Sequence, residues 1–371
     1  MSASEFSPPE SSLLEDQEKR FSGAFDILEQ AIAERVFPGA SAAVTENGSL
    51  VALKACGRFT HDADAPVVTP ATVFDLASVT KVVASTAVAM LLYERGLIDL
   101  DAPLAGIVPE FISEDSRRRD VTLRMLLAHC SGLPAYEKLF LKAADRENLL
   151  QLAFAIPLAA EPGSTAVYSD IGFILLGVAL ERLADEPLDR FCQREIFDPL
   201  GMTSTTFNPP KELRKTIPPT QDDRRFRHRV IQGEVQDENA SVLGGVAAHA
   251  GVFSTAGDLA KFAHAMLSGG DPILRRDTVE LFTRRQAEPA GSSRALGWDT
   301  PSNPSQSGKY FGPASFGHLG YTGASMWIDP ERQVSITLLT NRTWPDCSDQ
   351  RIKAVRPRFH DAVIESLEES R

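Results

Sequence analysis

Apolar residues follow two different periods along this chain. Near the start, Phe21, Phe25, Leu28 and Ile32 recur at steps of four, three and four, which places them on one face of a helix. Two apolar runs follow, Ala40 to Val44 and Leu50 to Leu53, and Asn47-Gly48 lies between them. That pair accepts the positive φ angles of a tight turn, so a β-hairpin is predicted. A second hairpin is predicted near the other end. There Ser325 to Ile328 and Val334 to Thr340 flank Asp329-Pro330-Glu331-Arg332. Val334, Ile336 and Leu338 alternate with polar residues, as expected of a half-covered strand. A last helix carries Ile352, Val355, Phe359, Val363 and Leu367 on one side, and Pro357 is expected to start or kink it.

Between these ends the rhythm is mostly helical. From about residue 78 to 205 there is little sign of strands. Residues 209–240 are polar and read as a long excursion. Thr255-Ala256-Gly257-Asp258 forms a capping box, followed by the stripe Leu259, Phe262, Ala263 and Met266. No internal repeat is visible. The expected fold class is α+β: one antiparallel sheet built from both chain ends, flanked by helices, with an inserted helical lobe. Residues 1–12 are expected to be a flexible tail. Residues 13–72 and 290–371 would form the α/β sheet lobe, and 73–289 the mainly helical lobe.

Composition narrows the function. Of 371 residues, 43% are hydrophobic and 24% charged, as in a globular enzyme. The net charge of -12 repels phosphate backbones, which argues against nucleic acid. The basic run Arg224 to Arg229 reads as a solvated loop paired with Asp222 and Asp223. The first twenty residues carry many acids and no apolar run, so neither a signal peptide nor a membrane anchor is expected. Cys56, Cys130, Cys192 and Cys347 are scattered and read as reduced thiols of a cytoplasmic protein. There is no HExxH, CxxC, Walker loop or dinucleotide fingerprint, so neither metal nor cofactor is expected. GxSxG is also absent.

Three segments can carry chemistry. Ser78-Val79-Thr80-Lys81 opens the apolar stretch Val82 to Leu92, which closes at Glu94-Arg95-Gly96. Ser78 would sit at the first turn of a buried helix, where free N–H groups favour a developing oxyanion. Lys81 shares its face, and burial would lower its proton affinity, making it a base for an otherwise weak nucleophile. A helix cap followed by a surface lysine would give the same letters. Tyr168-Ser169-Asp170 lies at the entry to a helical stretch, Ile171 to Leu183. A tyrosinate there could act as a base beside a lysine, and an ordinary half-buried tyrosine is the alternative. Phe316 to Gly323 holds three glycines beside a strand, which suggests a close backbone approach lined by His318. A bulged edge strand with a solvent-facing histidine is the other reading.

The three segments together resemble the serine β-lactamase and penicillin-binding protein superfamily, in its class C branch with D-aminopeptidases and family VIII carboxylesterases. Leu126 to Pro134 (LLAHCSGLP) and Gly244 to Phe262 (GGVAAHAGVFSTAGDLAKF) add to the likeness, which spans about Phe21 to Asn341. The resemblance implies a β-lactamase/transpeptidase-like fold. It makes Ser78 the acylated nucleophile, Lys81 its partner base and Tyr168 the proton shuttle. It also assigns the N–H groups of Ser78 and Tyr321 to the oxyanion hole. His318-Leu319-Gly320 occupies the family's K-T-G box. There a neutral imidazole and an aliphatic side chain hold a carboxylate poorly. Asp170 replaces the usual Asn, cannot donate its amide bond, and is expected to pair with Lys81. His249 is expected to line the acyl or leaving-group pocket. The resulting expectation is an intracellular carboxylesterase that cleaves short acyl esters lacking a carboxylate. The alternatives are a β-lactamase or D-Ala-D-Ala carboxypeptidase/D-aminopeptidase, and a non-catalytic binding protein on the same scaffold. The partner is a small-molecule ester or amide; oligomeric state stays open.

Overall fold

The structure is a computed structural model that describes residues 16–369, so the tail expected at 1–12 lies outside the described residues. Helix α1 (Ser22–Ala33) precedes strands β1 (Gly39–Glu46) and β2 (Ser49–Gly57). Asn47 and Gly48 both take positive φ, at 49° and 84°. That is the two-residue hairpin turn that Asn-Gly favours. Near the other end, β3 (Phe316–Leu319), β4 (Ser325–Asp329) and β5 (Val334–Thr340) follow in sequence. The sheet is antiparallel, in the order β2-β1-β5-β4-β3, and Ala40 pairs with Thr340 across the two chain ends.

One face of this sheet packs on α1 and the final helix. Phe25, Leu28, Ile336, Leu338, Phe359 and Val363 form that core. The other face meets the helix Ala256–Leu267, with Ala43, Leu339 and Phe262 in a second and larger core. Strand β5 is therefore central and covered on both sides. All seven of its residues are buried, including Ser335 and Thr337. The half-covered strand expected from its alternation is corrected by this finding. Ser335 bonds Thr45 at 2.6 Å, whereas Thr337 Oγ1 is buried without a hydrogen-bond partner among the described residues. The helix Ala256–Leu267 belongs to the sheet by packing, although its position in the chain places it with the helical segment.

Thr255 caps that helix by accepting from Asp258 N at 3.1 Å, as a capping box requires. The reciprocal arm is absent, because the Asp258 carboxylate takes Ser204 N and Thr205 Oγ1 instead. The final helix, Ile352–Glu369, runs through Pro357 rather than starting there. Proline removes the N–H that would bond the carbonyl four residues back, Lys353 O. Gln306 Nε2 donates to that carbonyl at 2.9 Å and supplies the missing bond. The basic run at 224–229 turns between the short strands Pro219–Asp223 and Arg229–Gln232. Arg224 pairs with Asp222 at the surface, as expected, whereas Arg227 is buried against Asp223. All four cysteines are unpaired.

The stretch Ala77–Glu94 is long and apolar enough to cross a membrane by composition, yet 83% of it is buried inside the protein. It threads the larger core and carries Ser78 and Lys81 to the edge of the sheet.

His360, in the final helix, is fully buried between Ser307 O and Ser325 Oγ, at 3.1 Å each. Burial, followed by the nearby charge of Arg356, pulls its pKa down to about 3. The unfolded chain, with an ordinary imidazole, therefore takes up a proton before the folded one does. The contribution of His360 to stability is complete above about pH 6.5 and is lost as the pH drops towards 3. In His360→Gln, the slope of unfolding free energy between pH 4 and 6 is expected to shrink by about 1.4 kcal/mol per pH unit. Urea melts across that range check it; an unchanged slope would refute it.

Candidate active site

The short strand Phe74–Asp75 pairs with Val252–Ser254 and delivers the chain to Ser78. The Asp75 carboxylate accepts from Ala77 N at 2.8 Å and from Gln236 N at 2.7 Å. These bonds hold Ala77 at φ 46°, a conformation that costs free energy for a residue with a Cβ. Ser78 follows, half-buried, in a 3-10 turn, and Lys81 begins a π-turn before the α-helix Ala87–Glu94. The expected single α-helix is thus irregular over its first two turns.

Lys81 is fully buried, and its amine has three partners. It donates to Ser78 Oγ at 3.0 Å, Asp170 Oδ1 at 2.6 Å and His249 O at 3.1 Å. Burial alone would pull its pKa down, as the sequence suggested. The charges of Asp170 and Tyr168 outweigh burial, and the pKa lies above the ordinary lysine value. An ammonium has three N–H groups, and all three are committed here.

Tyr168 stands before the helix Asp170–Ala184, which Ser169 caps through Gly172 N at 2.9 Å. The Tyr168 ring lies 4.7 Å from Lys81 Nζ, 4.7 Å from the His129 ring and 5.9 Å from the His318 ring. Its hydroxyl faces Lys81 and Ser78. Burial raises the phenol's pKa, and Lys81 only partly opposes this. His129 fixes the approach to this residue, since its Nδ1 accepts from Ser169 N at 3.0 Å. Burial, then Arg294 and Lys81, hold His129 well below its ordinary pKa, so it is neutral. His129 lies within the stretch 126–134, and nothing local in the sequence marks its role; its φ of 56° belongs to the folded chain.

His318 is buried, not solvent-facing, and its Nδ1 bonds Leu319 O at 2.8 Å. Burial, then Lys81 and Arg294, keep it neutral. The His249 ring is buried and meets Asp237 at 2.9 Å, and its backbone carbonyl reaches Lys81. Asp237 in turn caps the helix Glu238–Val242 through Ala240 N.

The loop after β3 is gripped by two arginines from distant segments. Arg356 donates to Gly320 O at 2.7 Å, Ala324 O at 3.0 Å and Gly323 O at 3.2 Å. Arg342 donates to Tyr321 O at 2.6 Å and stacks on the Tyr321 ring at 4.3 Å. In a trans peptide C=O and N–H point opposite ways. Arg356, by holding Gly320 C=O, therefore turns Tyr321 N–H away from the final helix. Thr322 Oγ1 donates to Asp75 O at 2.7 Å and ties this loop to the Ser78 segment. A Cβ on Gly320 would come within 2.4 Å of Leu76 O, so only glycine permits that approach. Among the described residues no cluster of His, Cys, Asp and Glu could hold a metal.

A sheet closed by both chain ends, a helical insertion, and a serine–lysine pair at their junction define a serine hydrolase of the acyl-transfer type. The comparisons with known proteins agree. A family model described as Beta-lactamase matches residues 25–356, and the chain belongs to that family. It is 33% identical over 312 residues to a putative D-alanyl-D-alanine carboxypeptidase of Escherichia coli K12, covering 76% of this chain and 71% of the relative. It is 32% identical to an N-acetylmuramyl-L-alanine amidase of Bacillus subtilis, covering 82% and 77%. Among solved structures, EstCE1, a hydrolase with promiscuous acyltransferase activity, superposes with TM-score 0.77 at 21% identity. That match covers 93% of this chain and 99% of the other. A class C beta lactamase from Rhodobacter sphaeroides gives TM-score 0.72 at 22% identity, covering 94% and 99%.

Proposed function

We propose that the chain is a carboxylesterase that cleaves short acyl esters through an acyl-enzyme on Ser78. The observation that carries the reading is the triple commitment of the Lys81 amine, with Ser78 Oγ 3.0 Å away. With its three protons spent, Lys81 holds positive charge, and Ser78 is free to point its own proton at Tyr168. Ser78 Oγ attacks the acyl carbon while Tyr168, as tyrosinate, takes the serine proton. Tyr168 then returns that proton to the departing alkoxide. The same groups later activate water to release the acid. The N–H groups of Ser78 and Tyr321 would receive the oxyanion. The neutral His318 and aliphatic Leu319 give no cation in the third box, which favours esters over substrates read there by a carboxylate. A second reading, a D-amino-acid-directed amidase or peptidase, draws on the names of the 32–33% identical relatives.

The deciding experiment compares p-nitrophenyl butyrate, a chromogenic cephalosporin and a D-Ala-D-Ala peptide by turnover and by intact mass. The ester is expected to turn over fastest and to leave a butyryl adduct that Ser78→Ala does not form. Faster turnover of the peptide supports the second reading, and ester cleavage surviving Ser78→Ala removes both.

A pH profile follows from the same arrangement. Lys81 and Tyr168 both hold their protons above their ordinary values, so the active form with one proton lost accumulates only as pH rises. kcat/KM is expected to climb with pH through the alkaline range along a one-proton limb. Asp170 raises both groups, so Asp170→Asn is expected to move that limb to lower pH. A limb that moves upward, or stays in place, contradicts the assignment.

A further inference from the structure

Asp75 closes the two-residue strand that leads to the nucleophile, and it is 2% exposed. Its two carboxylate oxygens each take one backbone amide, from segments far apart in the chain. Oδ1 accepts from Ala77 N, one residue before Ser78, and Oδ2 accepts from Gln236 N in the long polar excursion. The Gln236 end is firmly held. Arg227, paired with Asp223 in the hairpin, donates to Val235 O at 2.8 Å and to Gln236 O at 2.7 Å. Gln236 Nε2 donates to Gln221 Oε1 of the same hairpin at 2.7 Å. Asp75 therefore fastens the Ala77 backbone, at φ 46°, to a fixed frame. The Ala77–Ser78 peptide leads to the nucleophile and carries the Ser78 N–H, so both take their aim from this one carboxylate.

Only the ionised carboxylate can keep both bonds. A protonated carboxyl turns one oxygen into an O–H donor, and a donor set against an amide N–H breaks that contact. The charged groups that act on Asp75 are Asp237, whose own partner is His249, and Arg227 of the hairpin. The paired strand Val252–Ser254 brings no titratable side chain, and Thr322 from the loop after β3 reaches the Asp75 backbone carbonyl. Burial pushes the Asp75 pKa up to about 6 against the pull of the two amides, with Asp237 adding to the rise and Arg227 opposing it.

We infer that Asp75 is a positioning residue for the nucleophile, and that its protonation releases Ser78 from attack geometry and so gives the reaction an acid limit. The inference rests on the acyl-enzyme reading above. It adds a second proton, lost from a residue behind the nucleophile, to the single proton assigned to the Lys81–Tyr168 pair.

The pH dependence of p-nitrophenyl butyrate cleavage tests it in the unaltered protein. Above about pH 6 the logarithm of kcat/KM is expected to rise with a slope of one, and below it with a slope of two, because Asp75 must then lose a proton as well. Asp75→Asn keeps one acceptor and cannot titrate. Its kcat at pH 8 is expected to fall about 10- to 100-fold with KM little changed, and its slope to stay at one throughout. Glu238, next to Asp237, is also held above its ordinary range by burial, and Glu238→Gln is expected to keep the break. A slope of one down to about pH 5 in the unaltered protein, or a break that survives Asp75→Asn, overturns the inference. A second arm needs no turnover. In nitrogen-15-labelled protein the Ala77 and Gln236 amide resonances are expected to shift together with a midpoint near pH 6, and not in Asp75→Asn. If no ester is cleaved and Ser78 takes no acyl group, the acyl-enzyme reading fails. The amide titration then still decides for or against the release of Ala77.

Discussion

Lys81→Met is expected to lower kcat/KM for an ester by about 10,000-fold. The amine organises everything around it: it touches the Ser78 hydroxyl, neutralises Asp170 and supports a charged Tyr168 oxygen. A thioether of similar length keeps the packing and loses all three effects. It also strands Asp170, whose side chain is only 17% exposed, so the melting temperature should fall as well. The double change Lys81→Met with Asp170→Asn separates the two consequences. Stability is expected to recover and activity is not. Recovery of both would mean that the lysine serves only to satisfy the carboxylate.

Arg356→Leu is the second large effect. It leaves the Ser78 cluster untouched, yet kcat is expected to fall about 100- to 1000-fold with KM little changed, the loss seen when one oxyanion donor is removed. Arg356 is 5% exposed, and its three bonds all go to loop carbonyls. Leucine frees the Gly320–Tyr321 peptide to rotate, and the Tyr321 N–H loses its aim. Orphaned carbonyls also cost stability, on the order of 1–3 kcal/mol each. Arg356→Lys, which keeps a donor, should recover part of kcat. A rise in KM with kcat unchanged would refute the positioning role.

Much of this architecture was legible in local sequence. Asn47-Gly48 announced its turn because the requirement for positive φ is local. The stripe of Phe21, Phe25 and Leu28 announced its helix face for a similar reason. Ser78, Lys81 and Tyr168 could be named only because their segments together resemble a known family; each alone reads equally as a capped helix with a surface lysine or as an ordinary half-buried tyrosine. What escaped depends on closure between distant segments. Covering β5 on both faces needs the helix at 256–267, which no alternation within 334–340 can reveal. Pro357 is tolerated because Gln306, fifty-one positions earlier, supplies the missing donor. The proton affinity of Lys81 was misjudged because burial was visible in the apolar run, whereas the strength of the Asp170 contact was not. Arg294 and Arg356 are each one arginine among many until folding carries them to Tyr168 and to the Gly320 carbonyl.

The pairing of Ala40 with Thr340 also bears on how the protein is made. The first hairpin emerges from the ribosome long before its central partner exists. At roughly 5–20 residues per second, the wait is about 15 to 60 seconds. Throughout that interval β1 presents an unpaired edge, and the helical insertion has no sheet to rest on. Chains that stop short of residue 334 would keep that edge permanently open, which makes premature termination a source of aggregates rather than of a smaller working enzyme.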